Sequence, residues 1–221
     1  FITYHSNIMK SLTIPYIPAL EMLDASSIID VMERKTPRHY MDQANWERYP
    51  YMPIASFNIA RSDKNLFIYF FSRANSVRAI YDKDGSPVYQ DSCVEFFVKR
   101  PTDDHYINFE FNCIGTCDAS YRLSRSEKTD LPAEQLALIR RYPSLPRIPF
   151  NEKIGFHQWS LLVVIPLGII GLAKDFMPER IFGNFYKCGD ATASPHYLSW
   201  NPIDTEHPDF HQPDSFGELR L

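Results

Sequence analysis

Residues 88–99 read Val-Tyr-Gln-Asp-Ser-Cys-Val-Glu-Phe-Phe-Val-Lys, and residues 106–112 read Tyr-Ile-Asn-Phe-Glu-Phe-Asn. Side chains alternate across a strand, so each stretch sorts into two faces. Val94, Phe96 and Val98 share one face of the first; Asp91, Cys93, Glu95 and Phe97 share the other. In the second, Ile107, Phe109 and Phe111 oppose Tyr106, Asn108, Glu110 and Asn112. The short connection from Arg100 to His105 makes the two antiparallel neighbours. If their apolar faces share one core, Glu95, Asn108 and Glu110 stand together on the outer face. Cys117 to Leu123 continues the pattern, with Asp118, Ser120 and Arg122 on one parity.

Strand signals extend along the chain. Ile54 to Ala60 is the first clear run, and Leu66 to Ser72 is apolar on both parities, which suits a central strand covered on both faces. Val77 to Tyr81, Trp159 to Ile165, Phe182 to Cys188, Tyr197 to Trp200 and Phe216 to Leu221 follow. Asp24 or Ser26 caps a short helix over Ile28, Ile29, Val31 and Met32, and a second helix is expected over Ala133 to Arg141. Many short strands, turns between them and little helix predict an all-β fold, an antiparallel β-sandwich of jelly-roll or immunoglobulin-like type.

The chain has 221 residues, a length for one domain over 1–221, with residues 1–38 as a lead-in. If Met9 is the natural start, residues 1–8 are upstream sequence and the compartment is cytoplasmic; otherwise it is secreted or periplasmic. The net charge of −4 gives no basic footprint, so nucleic acid is not an expected partner. The longest apolar run, Leu161 to Ala173, is broken by Pro166, Gly168 and Gly171 and is too short to span a membrane. Seventeen prolines speak against a helical bundle, and eight glycines against glycine-cradled nucleotide sites. Cys93, Cys113, Cys117 and Cys188 are too sparse for a disulfide scaffold and read as buried free thiols.

No nucleophile elbow, zinc-protease helix, P-loop or dinucleotide fingerprint occurs. His207 and His211 are four apart, but Pro208 removes the helix that would align them; with His196 and Asp209 they give at most a loop-built metal site. Asp82 and Asp84, in the turn before Gly85, are weak calcium candidates. Glu95 and Glu110 supply the two carboxyls that glycoside hydrolysis needs, or the same face binds sugar hydroxyls. A solvated sheet face produces the same pattern.

The run Val88 to Phe97 resembles the signature strand of family 9 carbohydrate-binding modules, in which an aromatic precedes an Asp-Ser-x-Glu-x-Phe strand. Tyr106 to Asn112 is similar to the strand after it, and Trp159 to Pro166 to the family's strand ending in Ile-Pro. Trp200-Asn201-Pro202 through Pro213 to Leu219 is similar to the closing segment. The resemblance covers roughly residues 40–221. It implies a β-sandwich that binds sugars without cleaving them, as modules of xylanases and other polysaccharide-degrading enzymes do. It further implies a sugar chain end clamped between two aromatic rings, here Tyr89 and Phe210, with Trp200 as the rival to Phe210. Glu95 and Asn108 fall on the polar partners, followed by Glu110 and Arg122. The family's tryptophans are replaced by Tyr89 and Phe210, which offer less stacking surface. Its structural calcium has only Asp82 and Asp84 to map onto, and no other cofactor is expected. The runners-up are a glycoside hydrolase using Glu95 and Glu110, and an accessory structural domain whose sugar site has decayed.

Overall fold

Alternating apolar residues pair off into two inward faces, and the computed structural model, which describes residues 8–221, shows both. The strands are β1 (Ser11–Thr13), β2 (His39–Tyr40), β3 (Gln43–Ala44), β4 (Ile54–Arg61), β5 (Asn65–Ala79), β6 (Cys93–Lys99), β7 (Tyr106–Asn112), β8 (Cys117–Arg122), β9 (Lys128–Asp130), β10 (Arg140–Pro143), β11 (Phe150–Pro166), β12 (Arg180–Cys188), β13 (Tyr197–Ser199) and β14 (Gly217–Arg220). One sheet runs β1-β14-β12-β6-β7-β8-β9, with β13 and β3 attached beside β12; the other runs β10-β11-β5-β4-β2. The ladders are antiparallel except β1 with β14. Phe57, Ile59, Ile68, Phe70, Leu161 and Val163 of the smaller sheet meet Val94, Phe96, Phe109, Phe111 and Phe185 of the larger in one buried core. The Phe57 and Phe185 rings stack across the sandwich at 3.7 Å. This is the β-sandwich that the alternation predicts.

The double apolar parity of Leu66 to Ser72 has its explanation on the far side of the smaller sheet. Helix α1 (Ala25–Lys35) lies there, and its Ile28 and Met32 bury Phe67, Leu162 and Val164. Asp24 caps α1 by accepting from Ser27 N–H at 2.8 Å. Residues 8–38 are therefore built into the fold rather than leading up to it: β1 pairs with β14, and α1 covers a sheet. The expectation that residues 1–8 are upstream sequence falls, for residues 1–7, outside the described residues.

Two local expectations change. Helix α2 stops at Ala133–Leu136 instead of reaching Arg141, because residues 140–143 pair with Leu161–Val164 as an edge strand. A short isolated helix is marginal, and the ladder offers those residues backbone partners. Nor does the sheet break between Ser72 and Val77. β5 is continuous, held by a β11 that begins at Phe150, well before Trp159, and absorbs the irregularity in two register shifts.

The turn at residues 82–85 forms as read. Gly85 sits at φ +85° and its N–H donates to Cys117 C=O. Just after it, Asp91 is 0% exposed and accepts from Ile80 N–H, Tyr81 N–H, Arg78 Nε and Asn112 Nδ2, all within 3.1 Å. Ser92 adds a reciprocal pair with the Arg78 backbone. The acidic residue of the signature strand thus fastens the end of β5 to the start of β6 and the end of β7. Removing one partner of a buried ionic network costs about 3–5 kcal/mol. Asp91→Ala should lose stability on that scale in urea unfolding; a loss under about 1 kcal/mol would show that the surrounding loop holds itself.

Candidate functional site

Register places the outer-face residues in rows across the larger sheet. Tyr186, Glu95, Glu110 and Asp118 lie side by side on β12, β6, β7 and β8. Asn108 stands opposite Ser120 in the next row, and Tyr106 opposite Arg122 in the row after. The face expected to meet solvent does not. Phe97, Tyr106 and Tyr186 of the sheet join Trp46, Phe210 and Phe216, brought by the loops before β4 and between β13 and β14, in a second buried cluster over it. Glu95 is 2% exposed and Asn108 0%.

Where that cover ends, a cleft of about 360 Å³ opens over the carboxylate row. Tyr89, Glu95, Glu110, Arg122 and Phe210 line it together, with Asp118, Asp190 and Tyr197. Asn108 sits beneath and aligns two of them. Its Nδ2 donates to Glu110 Oε1 at 2.9 Å, and its Oδ1 accepts from Arg122 Nε at 2.6 Å. Arg122 Nη1 donates to Arg125 C=O, which ties the β8–β9 hairpin to the floor. Glu110 Oε2 is buried without a hydrogen-bond partner among the described residues.

The rim is positioned by equally specific contacts. Tyr89 is 39% exposed in the single turn Val88–Gln90. Its carbonyl accepts from Asp190 N–H, and Gln90 C=O accepts from Ala191 N–H, so two rim loops are joined. Phe210 stacks on Tyr186 with centroids 4.3 Å apart, and its carbonyl accepts from Tyr186 Oη. Prolines 208 and 213 flank it and limit its loop.

Burial sets the electrostatics. It raises Glu95 well above the usual carboxyl range, aided by the neighbouring Cys188 and Glu110. Burial with Asp118 nearby pushes Glu110 up to about 7, against the opposing Asn108 hydrogen bond and Arg122 charge. Burial also lifts Asp190 to about 6, against a hydrogen bond from Tyr197. A floor of carboxyls that hold protons near neutrality both donates and accepts hydrogen bonds, which is what sugar hydroxyls require.

Other expected residues lie elsewhere. Trp200 is 3% exposed between the sheets, edge-on to Phe57 and Phe185, because its parity points inward. Asp84 has both carboxylate oxygens on Arg141, at 2.7 and 2.9 Å, and one also accepts from Cys117 N–H. That guanidinium already supplies the positive charge, so Asp82 and Asp84 as arranged do not fit a calcium ion. The histidines do not converge: His196 Nε2 meets the buried Lys187 Nζ, His211 Nδ1 meets Tyr106 Oη, and His207 is exposed. Cys113 and Cys117 pack in the main core as free thiols, whereas Cys93 and Cys188 flank Glu95. Asp190 and Tyr197 were not legible as site residues; the one available signal was the parity of Tyr186 and Cys188, which aims the end of β12 at the same face.

The model of the carbohydrate-binding family 9 matches residues 26–221. No protein of curated description matches the chain. Among solved structures, a candidate carbohydrate-binding protein from Bacteroides uniformis ATCC 8492 is similar over 96% of this chain and 99% of its own, with 34% identity and a TM-score of 0.90. A family 9 carbohydrate-binding module from Caldicellulosiruptor kristjanssonii in complex with glucose covers 96% of this chain and 95% of its own, at 14% identity and TM-score 0.57. The same organism's module in complex with cellotriose covers 96% and 93%, at 12% identity and TM-score 0.57. With most of its length inside the family pattern and the matching sandwich beneath it, this chain belongs to carbohydrate-binding family 9.

Proposed function

We propose that the chain binds carbohydrate without cleaving it, holding a sugar unit over the Glu95–Glu110 floor with Tyr89 at the rim and Phe210 beside it. The observation that carries this reading is Glu110, a cleft-lining carboxyl with one oxygen fixed by Asn108 and the other without a partner in the described chain. A sugar hydroxyl completes such a group, while an aromatic ring stacks on the apolar face of the sugar. The bound glucose and cellotriose of the structural neighbours make short glucans the first ligands to try. A role in polysaccharide catabolism beside glycoside hydrolases, on xylan or a related polymer, follows from the same reading.

The hydrolase alternative is weaker on geometry. Glycosidase carboxyls flank the scissile bond. Glu95 and Glu110 are direct neighbours on adjacent strands, pointing the same way from one sheet face.

Calorimetry with cellotriose tests the aromatic part. Tyr89→Ala should weaken binding by about 1–3 kcal/mol with melting unchanged, since Tyr89 stands at the rim. Phe210 also packs on Tyr186 and Trp46, so its removal damages the fold, and Phe210→Leu is the cleaner probe. Unchanged affinity in both variants would remove the stacking from the proposal.

The buried carboxyl gives a second test. Glu110 ionises near 4.5 in an unfolded chain and near 7 in the folded one. Its folded-state pKa is raised, so its contribution to stability is complete below the lower value and lost as pH rises through the upper. Relative to the parent, Glu110→Gln should therefore melt higher at pH 8 than at pH 5, while its affinity for cellotriose falls. A variant that gains nothing at pH 8 would mean that Glu110 is better solvated than its burial indicates.

A further inference from the structure

On the cleft floor, Cys93 and Cys188 face each other across the β6–β12 ladder, and Glu95 follows two residues along on the same face. Both Sγ atoms and a Glu95 carboxylate oxygen lie within 4.8 Å of one another. Glu95 Oε1 is 3.1 Å from Cys188 Sγ and 3.8 Å from Cys93 Sγ. Around a tetrahedral zinc ion, with bonds of about 2.3 Å to sulfur and about 2.1 Å to oxygen, those ligands stand about 3.6 Å apart. The three groups thus already have close to the spacing of a half-built metal shell.

Two further facts fit a cation. Among the described residues, Glu95 hydrogen-bonds only to these two thiols, which are weak donors for a buried carboxylate. Such a group is costly unless a positive charge or a proton compensates it. Glu95 and Cys188 also line the cleft, which gives an ion a way in.

We propose that Cys93, Cys188 and Glu95 form a three-ligand site for a borderline-soft divalent cation of the zinc class, with a cleft water as the fourth ligand. Binding forms two metal–sulfur bonds and one metal–oxygen bond and releases the two thiol protons and the Glu95 carboxyl proton to solvent, leaving the site with a net charge of −1. The site needs no sugar and does not rest on the carbohydrate reading.

The test is a titration of the reduced full chain with Co²⁺ alone, without sugar, after four free thiols have been counted in denaturant. The expected result is one cobalt per chain, a sulfur-to-cobalt charge-transfer absorption, and displacement by Zn²⁺. Cys93→Ser and Cys188→Ser should abolish the absorption, and Cys113→Ser should keep it. If a serine variant does not fold, the near-isosteric Glu95→Gln serves instead, with affinity lower by about 10–100-fold or more. No charge-transfer band at saturating Co²⁺ overturns the site. So does equal uptake by parent and variants, or a chain that forms a Cys93–Cys188 disulfide in air but takes up no metal when reduced. Cellotriose binding is measured separately, so that either reading can fail alone.

Discussion

A carboxylate with no access to water organises the functional half of this sandwich. Asp91 draws two backbone amides, a guanidinium and an Asn112 side chain onto one anion at the point where β5 hands over to β6 and β7. Hydrogen bonds to a charged group are about twice as strong as neutral ones, and an unpaired buried charge is far more costly than either. The chain is thus confined to one path through residues 78–93. That path sets the phase of β6: Asp91 turns down into its ring of donors, and Cys93 and Glu95 keep the same parity. A slip by one residue would send Val94 and Phe96 outward and Glu95 into the core. Tyr89, one turn earlier, is placed at the rim by the same constraint.

The outer face of the larger sheet is unusual in being buried and polar together. Aromatic rings from distant loops cover it, yet Glu95, Asn108, Glu110 and Arg122 remain beneath them. Asn108 spans two of these, donating an amide hydrogen to Glu110 and accepting at its oxygen from Arg122. An ionised Asp there could not donate to Glu110, and a Leu would leave Glu110 Oε1 and Arg122 Nε unpaired. The arrangement costs stability, because each carboxyl is held where its charged form is disfavoured. A fold keeps such a cost where the groups meet something other than water, and this row reaches the surface in the cleft.

The sandwich was legible because alternation is a strong local code: Val94, Phe96, Phe109 and Phe111 went where their parity sent them. Glu95 and Glu110 were legible as neighbours for the same reason. Long-range decisions were not. Nothing near Arg140 announces that it will pair with Val164, so the helix of Ala133 looked longer than it is. Nothing in the β6 sequence says that Phe210, more than a hundred residues later, will roof its outer face, so a buried floor looked like a solvated one. Trp200 could not be told from Phe210 as the second ring, since a three-residue strand is too short to show from sequence which of its faces is the core face, and Phe210 lies in a proline-flanked loop; the tertiary path turns one inward and the other toward the cleft.

The Phe210–Tyr186 stack connects these levels. Tyr186 belongs to β12 and pairs directly with Glu95, so the ring that supports Phe210 stands in the same row as the carboxyls. Its Oη donates to the Phe210 carbonyl, fixing backbone as well as ring. The proline-flanked loop therefore takes its position from the sheet rather than from its own conformational preferences. Rim and floor share one rigid reference, so a ligand entering the cleft need not order that loop. Ordering side chains and loops on binding costs about 0.5–1.5 kcal/mol per immobilised group, and here folding has already met that cost. This matters most for a small, polar ligand such as a single sugar unit, whose few hydroxyl contacts leave little free energy to spare.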